Sequence, residues 1–318
     1  MLATLPESLA RAQHELTLLL LLGPRLMAAQ GYAVPAVGES YTRAQTLAQQ
    51  VGEPQQRGQA LQGLARFQLL RAQVRRADAL CQQCVQLASD QHDPTLAHEA
   101  ALDLGLIAFY RGDPVTARAQ LAHRRRRGDT PPPLSPLLLP PEEVSGVRHS
   151  FYGAMVLWVL GYADQAQHWG QDELAWAQQG EPTPGLVSAH LFTAILAQHR
   201  RDVAATQAAA EATIALATTH GLEHRVAQGQ ILQGWALAMQ GDAATGVVQI
   251  AQGWEAVQQL GQQLYRPYQL ALLAEAYGQA GHPEAGLPCL AEAVTLVAAT
   301  EERWWEAEVS RLQGELLP

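Results

Sequence analysis

A chain of 318 residues, close to half of them apolar, has ample material for a continuous core, and its net charge of −9 argues against nucleic acid or an anionic membrane as the main partner. Lysine and asparagine are absent, so all 21 residues of the Lys+Arg class are arginine. This removes the P-loop lysine, the kinase lysine and asparagine, Schiff-base chemistry and N-glycosylation together. Cys81, Cys84 and Cys289 make no disulfide framework, which points to a reducing cytoplasm. The apolar run from Leu16 to Leu22, flanked by Glu15 and Arg25, is too short to span a membrane.

In chain order, the first predicted helix runs from about Pro6 to Gln30, with Pro24 expected to kink or split it. A partner helix follows from Pro35 to Val51, ended by Gly52. The next pair, about Pro54 to Asp90, contains Cys81-Gln-Gln-Cys84. Both cysteines lie on one helix face, four and seven residues after Ala77, and no second cysteine pair completes a zinc site, so core packing is preferred to redox or metal chemistry. A third pair, Pro94 to Arg127, ends in Arg124–Arg127, read as a solvated last turn rather than a phosphate or acidic-partner grip. The segment Gly128 to Val144 is too rich in proline for helix. It reads as an insertion, with a PxxP docking ligand at Pro133 to Pro136 as the other reading. Four further pairs follow, and a last helix from Glu301 to Leu317.

These pairs share one pattern. A turn residue has a small residue seven positions before it and another five after it. Gly241 has Gly234 and Gly246, Gly281 has Ala274 and Gly286, Arg201 has Ala194 and Thr206, and Gly161 has Ala154 and Ala166. After a nine-residue slip, Gly112 has Gly105 and Ala117, Ala72 has Ala65 and Ala77, and Tyr32 has Val37, with Arg25 breaking the rule. Small residues there let two helix backbones close as a hairpin. The recurrence near 40 residues predicts an all-α, right-handed superhelical array of seven hairpins. The expected domain is single: 1–127 for repeats one to three, 128–144 for the insertion, 145–300 for repeats four to seven, and 301–318 for a terminal helix. Gly314 repeats the small position of Ala274, so that helix reads either as a cap or as half of a repeat cut from a longer protein.

No catalytic constellation emerges. His220 and His224 flank a loop at Gly221, and His92 and His98 flank Pro94, so neither pair shares a helical face as HExxH requires; all four are read as surface residues. No enzyme activity, cofactor or metal is expected. A ligand would meet the first helices, which line the concave side of such arrays. Positions six, three and two before each turn put Arg66, Phe109, Tyr110, Met155, Trp158, His199, Trp235 and Met239 on that wall, with Arg148 at its edge. They are either a binding groove or residues buried between long helices.

The stretches LIAFYRGDPVTARAQL, LQGWALAMQGDAATGV and LLAEAYGQAGHPEAGLPCLAEAV resemble tetratricopeptide repeats, although the unit is longer than the usual 34 residues. LMAAQGYAVPAVGESYTRA, RPYQLALLAEAYGQAG and RWWEAEVSRLQGELL resemble the repeat region of large bacterial signalling proteins. Those proteins join an ATPase module to a cyclase, kinase or DNA-binding output domain. The chain departs from them in its proline-rich segment from Thr130 to Pro141 and in containing none of those modules. The resemblance implies a non-catalytic regulatory scaffold whose partner is a protein, a peptide, an attached output domain or another copy in a homo-oligomer. The alternative is a small-ligand sensor controlling oligomerisation. A peptide scaffold should show an extended groove, a sensor a closed pocket.

Overall fold

A computed structural model describes residues 8–121, 147–179 and 184–317. Among the described residues there are fifteen α-helices and no strand. They pair as α1 (Leu9–Gln30) with α2 (Pro35–Val51), α3 (Pro54–Leu70) with α4 (Val74–Gln91), and α5 (Pro94–Tyr110) with α6 (Pro114–Leu121). Then come α7 (Val147–Val159) with α8 (Ala163–Ala177), α9 (Pro184–His199) with α10 (Val203–Thr219), α11 (Glu223–Met239) with α12 (Ala243–Gln259), and α13 (Arg266–Gln279) with α14 (Pro283–Thr300). The last helix is α15 (Glu306–Leu316). Arg124–Arg127 and the proline-rich insertion lie outside the described residues.

Local chemistry sets the helix ends. Prolines stand in the first turn of α2, α3, α5, α13 and α14, where their missing N–H would have had no helical partner. Side chains of Asp93, Asp202 and Asp242 accept backbone N–H groups at the starts of α5, α10 and α12. Six of the seven hairpins turn at the expected residue, which takes a left-handed backbone: Ala72, Gly112, Gly161, Arg201, Gly241 and Gly281. In the first hairpin the positive φ falls at Gly31, one residue before Tyr32. Pro24 does not split α1, which runs unbroken past it.

The small pairs do what their spacing requires. A Cβ added to Gly246 would lie 2.5 Å from the Gly234 carbonyl oxygen, and one on Gly286 would lie 2.8 Å from that of Ala274. Backbone touches backbone at both crossings, so any side chain there must push the hairpin open. The last helix starts at Glu306 rather than Glu301, because Glu301 adopts φ 63° and ends α14. Val309 and Leu312 of α15 are buried on the seventh hairpin, Leu316 abuts Gly278 and Gly286, and Leu317 is exposed.

The array also bends back on itself. Turns of the first three hairpins meet the loops that follow hairpins five, six and seven. Tyr32 packs edge-on against His224 with ring centroids 6.1 Å apart. The Leu70 carbonyl accepts the N–H groups of Gln263 and Leu264 at 2.9 and 3.1 Å, and Arg71 donates to the Gly261 carbonyl. The Tyr110 carbonyl accepts from Arg303 and Trp304 at 2.7 and 3.2 Å, while Arg75 and Arg111 both engage Glu301. The solenoid is therefore closed, its first three repeats stapled to its last three.

Candidate binding site

Closure frames a half-open chamber of about 80 Å³ between the early and late repeats. Its inner wall is aromatic and aliphatic, with Leu106, Tyr110, Tyr152, Ile195, Leu232 and Tyr268 buried. The Tyr152 hydroxyl bonds that of Tyr110 on one side and that of Tyr265, at 2.6 Å, on the other. Burial, followed by the neighbouring tyrosines, raises the Tyr110 and Tyr265 phenols well above their ordinary value. The chain of hydroxyls is thus neutral, and it spans α5, α7 and the loop before α13. Tyr268 donates to the Gln198 amide oxygen at 3.0 Å, which closes that side of the wall.

The polar part of the lining is different. His224 is buried, and its Nε2 has no hydrogen-bond partner within the protein. Burial first, and then the Arg225 guanidinium, pushes its pKa down to about 3, so the ring is neutral. Gln269 is buried with its Oε1 likewise unpartnered. At the half-buried mouth, Arg225 Nη1 donates to Gln228 Oε1 at 3.0 Å, and Gln228 in turn reaches Gln262 at 3.4 Å. Arg66 also lines the chamber and is paired with Asp103 at 3.6 Å. Among the described residues, no aspartate or glutamate lines the chamber. Buried polar atoms are almost always hydrogen-bonded, by water or ligand when not by protein. Two residues that line the chamber, His224 and Gln269, each carry such an orphan, which makes this the part of the interior where a polar guest has most to gain.

A wider cleft of about 280 Å³ lies between α2, α3 and α4, but none of its lining groups is a buried orphan; Arg57 there donates to the Ala48 and Gly52 carbonyls. Size alone would favour it; the hydrogen-bond accounting favours the chamber.

Of the residues expected on a concave wall, Arg66 and Tyr110 line the chamber. Phe109 is buried against Tyr152 and Trp304, Met155 is buried, and Trp235 is fully buried, its Nε1 donating to Glu275 Oε2 at 2.6 Å. His199 is buried too: Nδ1 contacts the Ile195 carbonyl at 2.7 Å, the ring lies against Trp304 and Trp305, and burial pushes its pKa down to about 4. Trp158 is half-buried, as is Met239, whose sulfur lies 3.8 Å from Arg201. The Arg148 side chain lies outside the described residues. His92 and His220 are exposed, whereas burial of His224 corrects its reading as a surface residue. Cys81 and Cys84 are buried in the core, and burial raises both thiols, Cys84 to about 12. They are protonated packing groups, poor nucleophiles as they stand.

The concave-wall positions missed Tyr32, His224, Arg225, Gln228, Gln262 and Gln269, for a geometric reason. Hairpins two and three contribute from two to six residues before their turns, as Tyr110 and Arg66 do. Hairpins four to seven contribute mostly from the other end of the first helix, as Tyr152, Gln228 and Gln269 do. The array rises as it winds, so one chamber is met at different heights on its two sides. Tyr32, an aromatic at the turn position that four of the other six hairpins give to glycine, was the one sequence signal available.

No protein-family model matches the sequence, and no curated protein matches it in sequence. Solved structures do match in fold. A Rap protein complexed with competence and sporulation factor superposes with a TM-score of 0.62 at 9% identity, over 99% of this chain and 90% of that one. A tetratricopeptide repeat protein from Parabacteroides merdae gives 0.47 at 11% identity, over 96% of this chain and 100% of that one. The fold is a tetratricopeptide-like helical repeat solenoid.

Proposed function

We propose that the chain, from residue 1 to 318, is one non-catalytic regulatory binding domain whose ligand occupies the axial chamber. The observation that carries this is the pair of buried, unpartnered groups, His224 Nε2 and Gln269 Oε1, on residues that line a half-open cavity walled by both ends of the array. A ligand there touches early and late repeats at once, so it binds the closed ring better than an opened one. Differential affinity of that kind is what lets a ligand shift a conformational equilibrium. Closure state then changes the outer surface offered to a protein partner, to an attached output domain or to another copy of the chain. The resemblance in the sequence supports a place beside an ATPase module and a cyclase, kinase or DNA-binding output, in the cytoplasm.

A second reading, direct capture of a peptide or protein, is favoured by the Rap protein of the same fold, which is complexed with competence and sporulation factor. In it Arg66 and Tyr110 hold the inserted group. The test is ligand-observed NMR with fragments of up to about twelve non-hydrogen atoms, on the native chain and on Ile231→Phe, which fills the chamber. Leu191→Phe serves if that variant does not fold. The reading expects fragments lost on filling the chamber, and slower hydrogen exchange at the Gln263, Leu264, Arg303 and Trp304 amides when they bind. Binding that ignores the filling substitution, or no binding at all, overturns it.

A further inference from the structure

Resting on the reading that the chamber is the ligand site, we infer that its ligand is a small carboxylate with a flat apolar body and at least one hydrogen-bond donor. Charge gives the first part. In a chain of net charge −9, the chamber wall holds two arginines and no acid. Arg66 is matched by Asp103 behind it, whereas no carboxylate among the described residues pairs with Arg225. Arg225 spends one N–H on Gln228 and lies 5.9 Å from the centre of the Phe192 ring, leaving further donors of its planar fork for an incoming anion. The low-dielectric aromatic wall strengthens that attraction relative to water.

Size and shape give the second part. At about 10–15 Å³ per water on the same measure, the chamber has room for roughly five to eight waters, or a ligand of about ten non-hydrogen atoms. Its walls are lined by the rings of Tyr110, Tyr152, Phe192, Tyr265 and Tyr268, which suit a ring or a branched chain. The third part comes from the orphans. Gln269 Oε1 accepts only, so a ligand that reaches it supplies a donor, and neutral His224 Nε2 can either give or take a hydrogen bond according to tautomer. A free aromatic hydroxy or amino acid meets all three conditions. So does the C-terminal residue of a peptide, since both carry the same carboxylate.

Isothermal titration of the full chain would use 4-hydroxyphenylacetate, its neutral amide 4-hydroxyphenylacetamide, and the dipeptide Gly-Tyr with a free or an amidated C-terminus, whose tyrosine alone enters the chamber while the glycine stays outside its mouth. The inference expects both acids to bind at least tenfold more tightly than their amides. R225Q should remove that advantage, weakening the acids far more than the amides, and R225K should restore part of it. A tighter dipeptide than free acid identifies a peptide terminus as the source; the reverse identifies a small metabolite. Equal binding of acid and amide, untouched by R225Q, overturns the carboxylate while leaving the chamber as the site. If no probe binds and neutral fragments also ignore the Ile231→Phe filling substitution, the chamber reading itself is lost.

Discussion

Two regions of the same interior handle buried polarity in opposite ways. Around Trp235, everything is matched: Glu275 takes the indole N–H on one oxygen and the Arg201 guanidinium on the other, and Arg201 also lies over the Trp235 ring at 5.5 Å. Nearer the start of the same two helices, His224 on α11 and Gln269 on α13 are just as dry and leave an atom each unmatched. A network with every member satisfied rigidifies a fold, whereas one with vacancies costs stability until something fills it. The first region is scaffold, and the second is built to receive.

The largest effect should come from breaking the matched side. Trp235→Ala deletes a fully buried indole and strips a donor from buried Glu275, so a loss of about 3–5 kcal/mol is expected in urea unfolding. A loss below 1 kcal/mol would show that Trp235 faces an adaptable surface rather than a packed core. Glu275→Leu should cost less, about 1–3 kcal/mol, because it orphans the indole N–H and frees Arg201, which is half-exposed.

A third measurement reads the seam that closes the ring. Glu302 is fully buried, accepts the Tyr265 N–H at 2.9 Å and the Trp304 indole N–H at 3.0 Å, and has its second oxygen unpartnered. Burial, outweighing those two hydrogen bonds, pushes its pKa up to about 8. A carboxyl raised above its unfolded value binds its proton more tightly in the folded chain. Its contribution is therefore complete below about pH 4.5 and is lost as pH rises through 8. His224 works in the other direction: depressed to about 3, it contributes fully above about pH 6.5 and loses that contribution as pH falls. Melting temperature against pH should thus fall less steeply on the alkaline side in Glu302→Gln and less steeply on the acid side in His224→Leu. Parallel curves for either variant and the native chain would refute the corresponding assignment.

The smallest effect in stability is expected on the receptive side. Gln269→Leu removes an unmatched amide and fills a similar volume, so it should leave unfolding within about 1 kcal/mol of the native chain, or raise it. A loss comparable to that of Trp235→Ala would mean that Gln269 belongs to the scaffold after all, and the contrast between the regions would collapse.

How much of this could be read from residues alone follows the range of the interactions. The hairpin turns at Gly112, Gly161, Gly241 and Gly281 were legible because a left-handed backbone favours glycine and small residues recur at fixed distances from it. Ala72 and Arg201 take the same backbone without being glycine, and only the repeat register located them. The burial of Cys81 and Cys84 followed from helical periodicity. Those signals lie within one repeat, inside a few tens of residues.

The chamber is another matter. It exists because Leu70 receives Gln263 and Leu264, Tyr110 receives Arg303 and Trp304, and Tyr32 meets His224. Each contact joins residues far apart in the chain through loops that carry no repeat signature. The sequence by itself determined helices, turns, hairpin crossings and the apolar inner stripe, because these depend on neighbours three to twelve positions away. Whether that stripe faced water or was sealed depended on how far each repeat rotates and rises on the last, accumulated over seven steps. Small angular terms of that kind add along a solenoid and leave no mark on any single residue. Tertiary structure alone therefore decided that the ring closes, that Trp235 and Phe109 are core, and that His224 and Gln269 line a cavity.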